Sequence, residues 1–292
     1  MNAKIEFRKV RTYAEVISIS AEFVRKNFVG LFKSVMLIAL PFMLIALLVN
    51  VLLTIAIIPS DFLLQSADRT ANLFFLLFVY VLLFGLAIIV FFSVIYSYIL
   101  LYIRYPYAKK IRVKAVYRKV FHNIWLYVST TVLLTCLVVV MYLFSIAMGL
   151  IHFLMGGIAF CGLVYMMVSL SFIFMVRLVE RRGFIEGFYR SLFLIREHWW
   201  QTFLIYMVAA FITFSLVSLP TFIFSFFLQF VSFLQLDIYV YTILIQSLFF
   251  LFYFFVFATN MIVTAFQYFA LVEKKQGIGM RQKVERIGLD RV

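Results

Sequence analysis

Charged residues are missing altogether from five long stretches of this chain: Ser34–Ser60, Thr70–Ile103, Val120–Val176, His198–Leu236 and Ile238–Val272. A helix crossing the hydrocarbon core of a bilayer needs about 20 consecutive apolar residues. Four stretches hold one span each, and the 57-residue Val120–Val176 stretch holds two. The expected fold is all-α, a polytopic transmembrane bundle of about six spans forming one domain over residues 1–292. The spans are read at 35–57, 73–103, 124–148, 158–176, 202–224 and 239–271, joined by short outer turns into three antiparallel hairpins. Hydrophobic residues make up 66% of the chain and charged residues 13%, against about 45–50% and 25% in soluble domains. A water-soluble globular fold is excluded, and the spans leave no length for a separate soluble domain.

Lys and Arg fall on alternate connections. Residues 1–34 carry seven, 104–119 seven, 177–201 five and the tail from Glu273 six, while the connections between carry only Arg69. Cytoplasmic loops of membrane proteins collect Lys and Arg, so both termini are expected in the cytoplasm. The net charge of +14 is then topological, and no nucleic-acid partner is expected. The first apolar run starts at Val35, behind 34 residues rich in charge. A cleavable signal would have a shorter leader and core, so none is expected. Pro41 and Pro220 lie within spans as kink points. The apolar segment 221–236 reads either as a continuation of the fifth helix beyond Pro220 or as an outer-leaflet segment. The second and sixth spans exceed bilayer thickness. If they project into the cytoplasm, Tyr96, Tyr98, Tyr102 and Tyr268 would form an interfacial aromatic belt.

Three segments before the odd-numbered spans, at about 13–33, 112–123 and 184–200, have helical amphipathic patterning. Val113, Val116, Tyr117, Val120, Phe121 and Ile124 form one stripe, opposite Arg112, Lys114, Arg118, Lys119 and His122. Ile185, Phe188, Tyr189, Leu192 and Trp199 form a second, and Val16, Ile17, Val24, Phe28 and Leu31 a third. An apolar stripe opposite Lys and Arg suits a helix lying in the headgroup plane. Lys109, Lys110, Arg112, Lys114, Arg118, Lys119, Arg181, Arg182 and Arg190 are the candidate collar for anionic lipid headgroups or for a protein partner. The alternative is that the stripes pack on the ends of the bundle. A shift of 72 residues aligns Val116–Phe121 with Phe188–Phe193, with three identities in six. This hints at parallel repeats of an interfacial helix followed by a hairpin.

Chemistry is sparse. The three histidines, His122, His152 and His198, share no ligand spacing. No metalloprotease, phosphate-loop or nucleophile-elbow motif occurs. Cys136 and Cys161 sit inside spans as packing residues. No catalytic residue, metal or cofactor is expected. Polar residues within spans are neutral and suit interhelical hydrogen bonding. If a hydrophilic path exists, Asn50, Gln246 and Asn260 are the candidates to line it. Trp125, Trp199 and Trp200 fall at span starts, where an amphipathic ring anchors at headgroup level.

The segment from Glu180-Arg-Arg-Gly-Phe-Ile-Glu-Gly-Phe-Tyr-Arg-Ser-Leu through Trp199-Trp200, with Phe266-Gln-Tyr-Phe-Ala-Leu-Val-Glu-Lys-Lys near the end, resembles a group of uncharacterised bacterial six-helix membrane proteins. These are similar to the membrane domain attached to some glycerophosphodiester phosphodiesterases. In those enzymes catalysis belongs to a separate soluble barrel, so the resemblance implies a lone membrane module with no active-site residue to carry over. It also implies a bacterial cytoplasmic (inner) membrane location. The function expected is that of a non-enzymatic module whose basic cytoplasmic collar engages anionic lipid or a membrane or cytoplasmic protein. The alternative is a permease or lipid-handling transporter with a neutral intramembrane path.

Overall fold

The computed structural model describes residues 5–57, 67–105, 111–233 and 238–277. These are almost wholly helical, with no strand among the described residues. The helices are α1 (Tyr13–Ser34), α2 (Leu40–Ile57), α3 (Ala67–Arg104), α4 (Val113–His122), α5 (Ile124–Ile151), α6 (Phe153–Leu170), the short α7 (Ile173–Met175), α8 (Phe184–Ile195), α9 (Trp199–Phe233) and α10 (Ile238–Gln276). Six helical stretches are long and apolar enough to cross a membrane, beginning at Tyr13, Asn72, Ile124, Phe153, Trp199 and Leu251. The chain is a multi-pass membrane protein with an all-α fold.

Successive helices pair: α2 on α3, α5 on α6 and α9 on α10. The α10 span is the centre of the bundle, with 61% of its most apolar window buried, whereas α5 buries only 6% and faces outward. Between lipid-facing helices there is no hydrophobic driving force, because acyl chains are as apolar as Leu. Close packing has to hold them instead. Gly156 of α6 lies so near Gly149 of α5 that a Cβ there would sit 2.5 Å from the Gly149 Cα. Ser145 adds a 3.3 Å hydrogen bond to the Gly156 carbonyl. Only His152 separates these two helices, and its ring nitrogen accepts from the Leu154 amide at 3.2 Å.

The two prolines within spans, Pro41 and Pro220, are accommodated inside continuous helix. A π turn over Val35–Ala39 joins α1 to α2 just ahead of Pro41. The Leu40 amide reaches back to the Val35 carbonyl, the wider spacing of a π turn. Proline lacks an amide and crowds the preceding turn, and a widened turn relieves that crowding. The segment read as an interfacial helix at 13–33 is thus joined to the first span without a break. Pro220 lies within α9. The Thr221 hydroxyl donates to the Val217 and Ser218 carbonyls at 2.8 and 2.9 Å, adding side-chain hydrogen bonds to the turn that holds the proline. Of the two readings of 221–236, the described part through Phe233 continues the helix; residues 234–237 lie outside the described set.

The densest packing gathers at one end. Phe7 stacks on Phe266 with ring centroids 4.2 Å apart. Phe23, Tyr102 and Phe269 surround the pair edge-on. The Ile5 amide donates to the Tyr102 hydroxyl at 3.1 Å, pinning the segment before α1 across the end of α3. Burying each such ring contributes about 1.5–3 kcal/mol where the alternative is water. Tyr96, Tyr98, Tyr102 and Tyr268 are all buried here, so they form a protein core and not an aromatic belt facing lipid.

Candidate functional site

The charged end of the bundle is organised by Glu180. The chain leaves α7 through a second π turn, Val176–Glu180, and Arg181 takes a left-handed conformation (φ 54°) before Gly183 starts α8. The Glu180 carboxylate accepts from Arg190 Nε with both oxygens at 3.1 Å and from the Tyr268 hydroxyl at 3.0 Å, and forms an ion pair with Arg182, whose Nε lies 2.9 Å away. The Arg190 side chain is only 10% exposed. Of the nine basic residues in the proposed collar, Arg190 and Arg182 are therefore occupied by a structural ion pair.

The others divide by position. Arg112, Lys114, Arg118 and Arg181 are exposed and make no ion pair among the described residues. Lys119 is partly buried, and desolvation, with Arg181 and Arg104 adding repulsion, holds its ammonium pKa below the ordinary lysine value. Lys109 and Lys110 lie outside the described residues. On α4, Val116 and Val120 are buried, while Tyr117, Phe121 and the following Trp125 are 50%, 61% and 81% exposed. Half of the apolar stripe packs on the bundle and half points away from it.

Arg177 was not among the residues singled out in the sequence. Its guanidinium donates from Nη1 to the Ser129 hydroxyl at 3.2 Å and to the Thr130 hydroxyl on α5. Nε is buried with no partner, and no carboxylate pairs with Arg177 among the described residues. The guanidinium also lies 5.7 Å from the Phe184 ring centroid. The available signal was the adjacent hydroxyls at Ser129 and Thr130, opposite the first charge after the longest uncharged stretch.

Two apolar spaces adjoin this end. A cavity of about 230 Å³ between α3, α5, α6 and α10 is walled mainly by aliphatic and methionine side chains, with Tyr96, Ser171, Asn260 and Thr264 as its polar groups. A second space of about 390 Å³ is a groove between α5 (Leu133, Cys136, Leu137, Val140) and α8 (Phe184, Ile185, Phe188, Tyr189). Of the three residues proposed for a hydrophilic path, Asn50 and Asn260 do not share a cavity. Asn260 borders the first cavity and its side-chain oxygen accepts from Thr213 at 3.1 Å. Asn50 lies on α2, which contributes nothing to that wall, and the Gln246 side chain lies outside the described residues. Cys136 and Cys161 are free and exposed, and no group of three or more His, Cys, Asp or Glu is arranged to hold a metal ion among the described residues.

Comparison of the chain with protein-family models, with curated proteins and with solved structures finds no match.

Proposed function

We propose that this protein is a non-enzymatic multi-pass module of the bacterial cytoplasmic membrane, whose basic end faces the cytoplasm and binds the headgroups of anionic phospholipids. The observation that carries this reading is α4. Its outward surface combines the exposed Tyr117, Phe121 and Trp125 with Arg112, Lys114 and Arg118, which have no carboxylate partners among the described residues. A helix meant only to pack on protein would bury its rings. A helix seated among headgroups exposes them beside cations, and each cation near an anionic surface contributes about 1 kcal/mol.

The test uses the three tryptophans, all read at span starts on the basic side. Protein reconstituted with brominated lipid is compared in anionic phosphatidylglycerol and neutral phosphatidylcholine. Stronger quenching by the anionic lipid is expected, and the preference should disappear when Lys109, Lys110, Arg112, Lys114, Arg118 and Lys119 are neutralised together. Equal quenching by both lipids in the wild-type chain contradicts the proposal.

A second reading, a lipid-handling transporter, draws support from the cavity walled by Met141, Met166, Met167 and Met261. Unbranched thioether side chains adapt to varied apolar shapes. A bound fluorescent fatty acid, displaced by Met166→Trp, would favour it; no saturable binding to wild type would dismiss it.

A further inference from the structure

We propose that Arg177, Ser129 and Thr130 form the headgroup end of one discrete anionic phospholipid site, with an acyl chain lying in the groove between α5 and α8. The inference deepens the collar reading by fixing a single ligand position, and it rests on that reading for the class of ligand.

Three observations converge. First, Arg177 is a cation without a counter-ion among the described residues. Nη1 serves both hydroxyls, Nε is buried without a partner, and Nη2 meets no protein acceptor among the described residues. Arg177 is only partly buried, but the withdrawal of its Nε from water has a cost that an anion would offset, and Glu180, the carboxylate three residues on, is already shared by Arg190, Arg182 and Tyr268. A phosphodiester oxygen fits the guanidinium fork, and the two hydroxyls have fixed the orientation of that fork. Second, the depth is right. Thr130 is six residues into α5 from Ile124, about 9 Å at the helical rise, which suits the boundary between phosphate and glycerol and not the centre of the bilayer. Third, the groove begins beside this group and contains no charge. Phe184, under the guanidinium, is also a wall residue, and Leu133, Cys136, Leu137 and Val140 continue the wall along α5 toward the middle of the span.

The local fold is built around this placement. Gly187 on α8 faces the Arg177 stem, where a Cβ would lie 3.1 Å from its Cγ. Its small size lets α8 close over the side chain and form the opposite wall.

The full chain, purified in mild detergent, is examined by native mass spectrometry and by thermal unfolding with added phosphatidylglycerol, phosphatidylcholine or inorganic phosphate. Wild type should keep one phosphatidylglycerol per chain and be stabilised by that lipid well beyond either comparator. Arg177→Gln should lower phosphatidylglycerol affinity roughly tenfold or more, with Arg177→Lys intermediate. Cys136→Trp, which fills the groove and leaves Arg177 in place, should also lose the lipid, so the test does not depend on one variant folding. Arg25→Gln/Lys33→Gln, exposed cations on α1 outside both the collar and the groove, should keep it. Retention of the lipid by both Arg177→Gln and Cys136→Trp overturns the site. So does stabilisation by inorganic phosphate equal to that by phosphatidylglycerol, which would make it a simple anion site. Loss of the lipid from Arg25→Gln/Lys33→Gln also overturns it, assigning binding to the positive charge of the chain at large. The collar reading is judged separately by the quenching preference, so either can fail alone.

Discussion

The Tyr268 hydroxyl donates a 3.0 Å hydrogen bond to Glu180 Oε1, joining residues 88 positions apart. It ties the end of α10, the most buried span, to the π turn that launches α8. Because Glu180 also holds Arg190 and Arg182, one carboxylate fixes α8 against the bundle and with it one wall of the groove.

Tyr268→Phe removes a hydrogen bond to a charged acceptor, worth about 1.5–3 kcal/mol. Glu180→Gln should cost more, because it leaves the nearly buried Arg190 without its counter-ion, a loss of about 3–5 kcal/mol for fully buried pairs. Thermal unfolding in mild detergent should rank wild type above Tyr268→Phe above Glu180→Gln. The double variant should be less destabilised than the sum, since both changes act on one network.

Gly156→Ala should destabilise the α5–α6 pair by about 1–3 kcal/mol, because the new methyl meets the Gly149 backbone at 2.5 and 2.9 Å. Gly157→Ala is the matched control, with nothing within 4 Å of its Cβ position. It should be neutral or slightly stabilising, as alanine is the better helix former. Parallel unfolding curves of the two variants check this.

His198 gives the folded protein a sensitivity to acid. Desolvation, and then Lys274 and Lys275, hold its imidazole below the ordinary histidine pKa, with Glu197 opposing them. Nδ1 is buried without a partner. The unfolded chain takes up the proton first as pH falls through about 6.5, so this contribution is complete above that pH and declines toward the depressed folded value. Stability should drop between pH 7.5 and pH 5.5, and His198→Gln should flatten that part of the profile. An unchanged slope in the variant would assign the acid sensitivity to other groups.

The spans were legible because a charge in hydrocarbon is too costly to hide, so uncharged runs mark them directly. The facing of the amphipathic helices was harder to read. On α4 the buried residues Val116 and Val120 belong to the stripe seen in the sequence. On α8 the stripe residues Ile185 and Tyr189 point outward, and Gly187, Ser191, Leu194 and Ile195 point in. Hydropathy did not mark the inward face there, because a serine is cheap to bury once its hydroxyl finds a carbonyl. Ser191 donates to the Ser169 carbonyl at 2.5 Å, and on α1 the buried Ser20 donates to the Val16 carbonyl at 2.6 Å. Arg177 escaped notice for a related reason. Sequence puts it just past a span, and only the folded chain turns its guanidinium back onto Ser129 and Thr130.

Sidedness underlies every assignment made to the basic end. The direct measurement is cysteine labelling in intact cells with a membrane-impermeant maleimide, after replacing Cys136 and Cys161 with Ala. Lys114→Cys should react only once the cells are permeabilised, while His152→Cys, in the turn between α5 and α6, should react from outside. Labelling of Lys114→Cys in sealed cells would reverse the orientation and contradict the account.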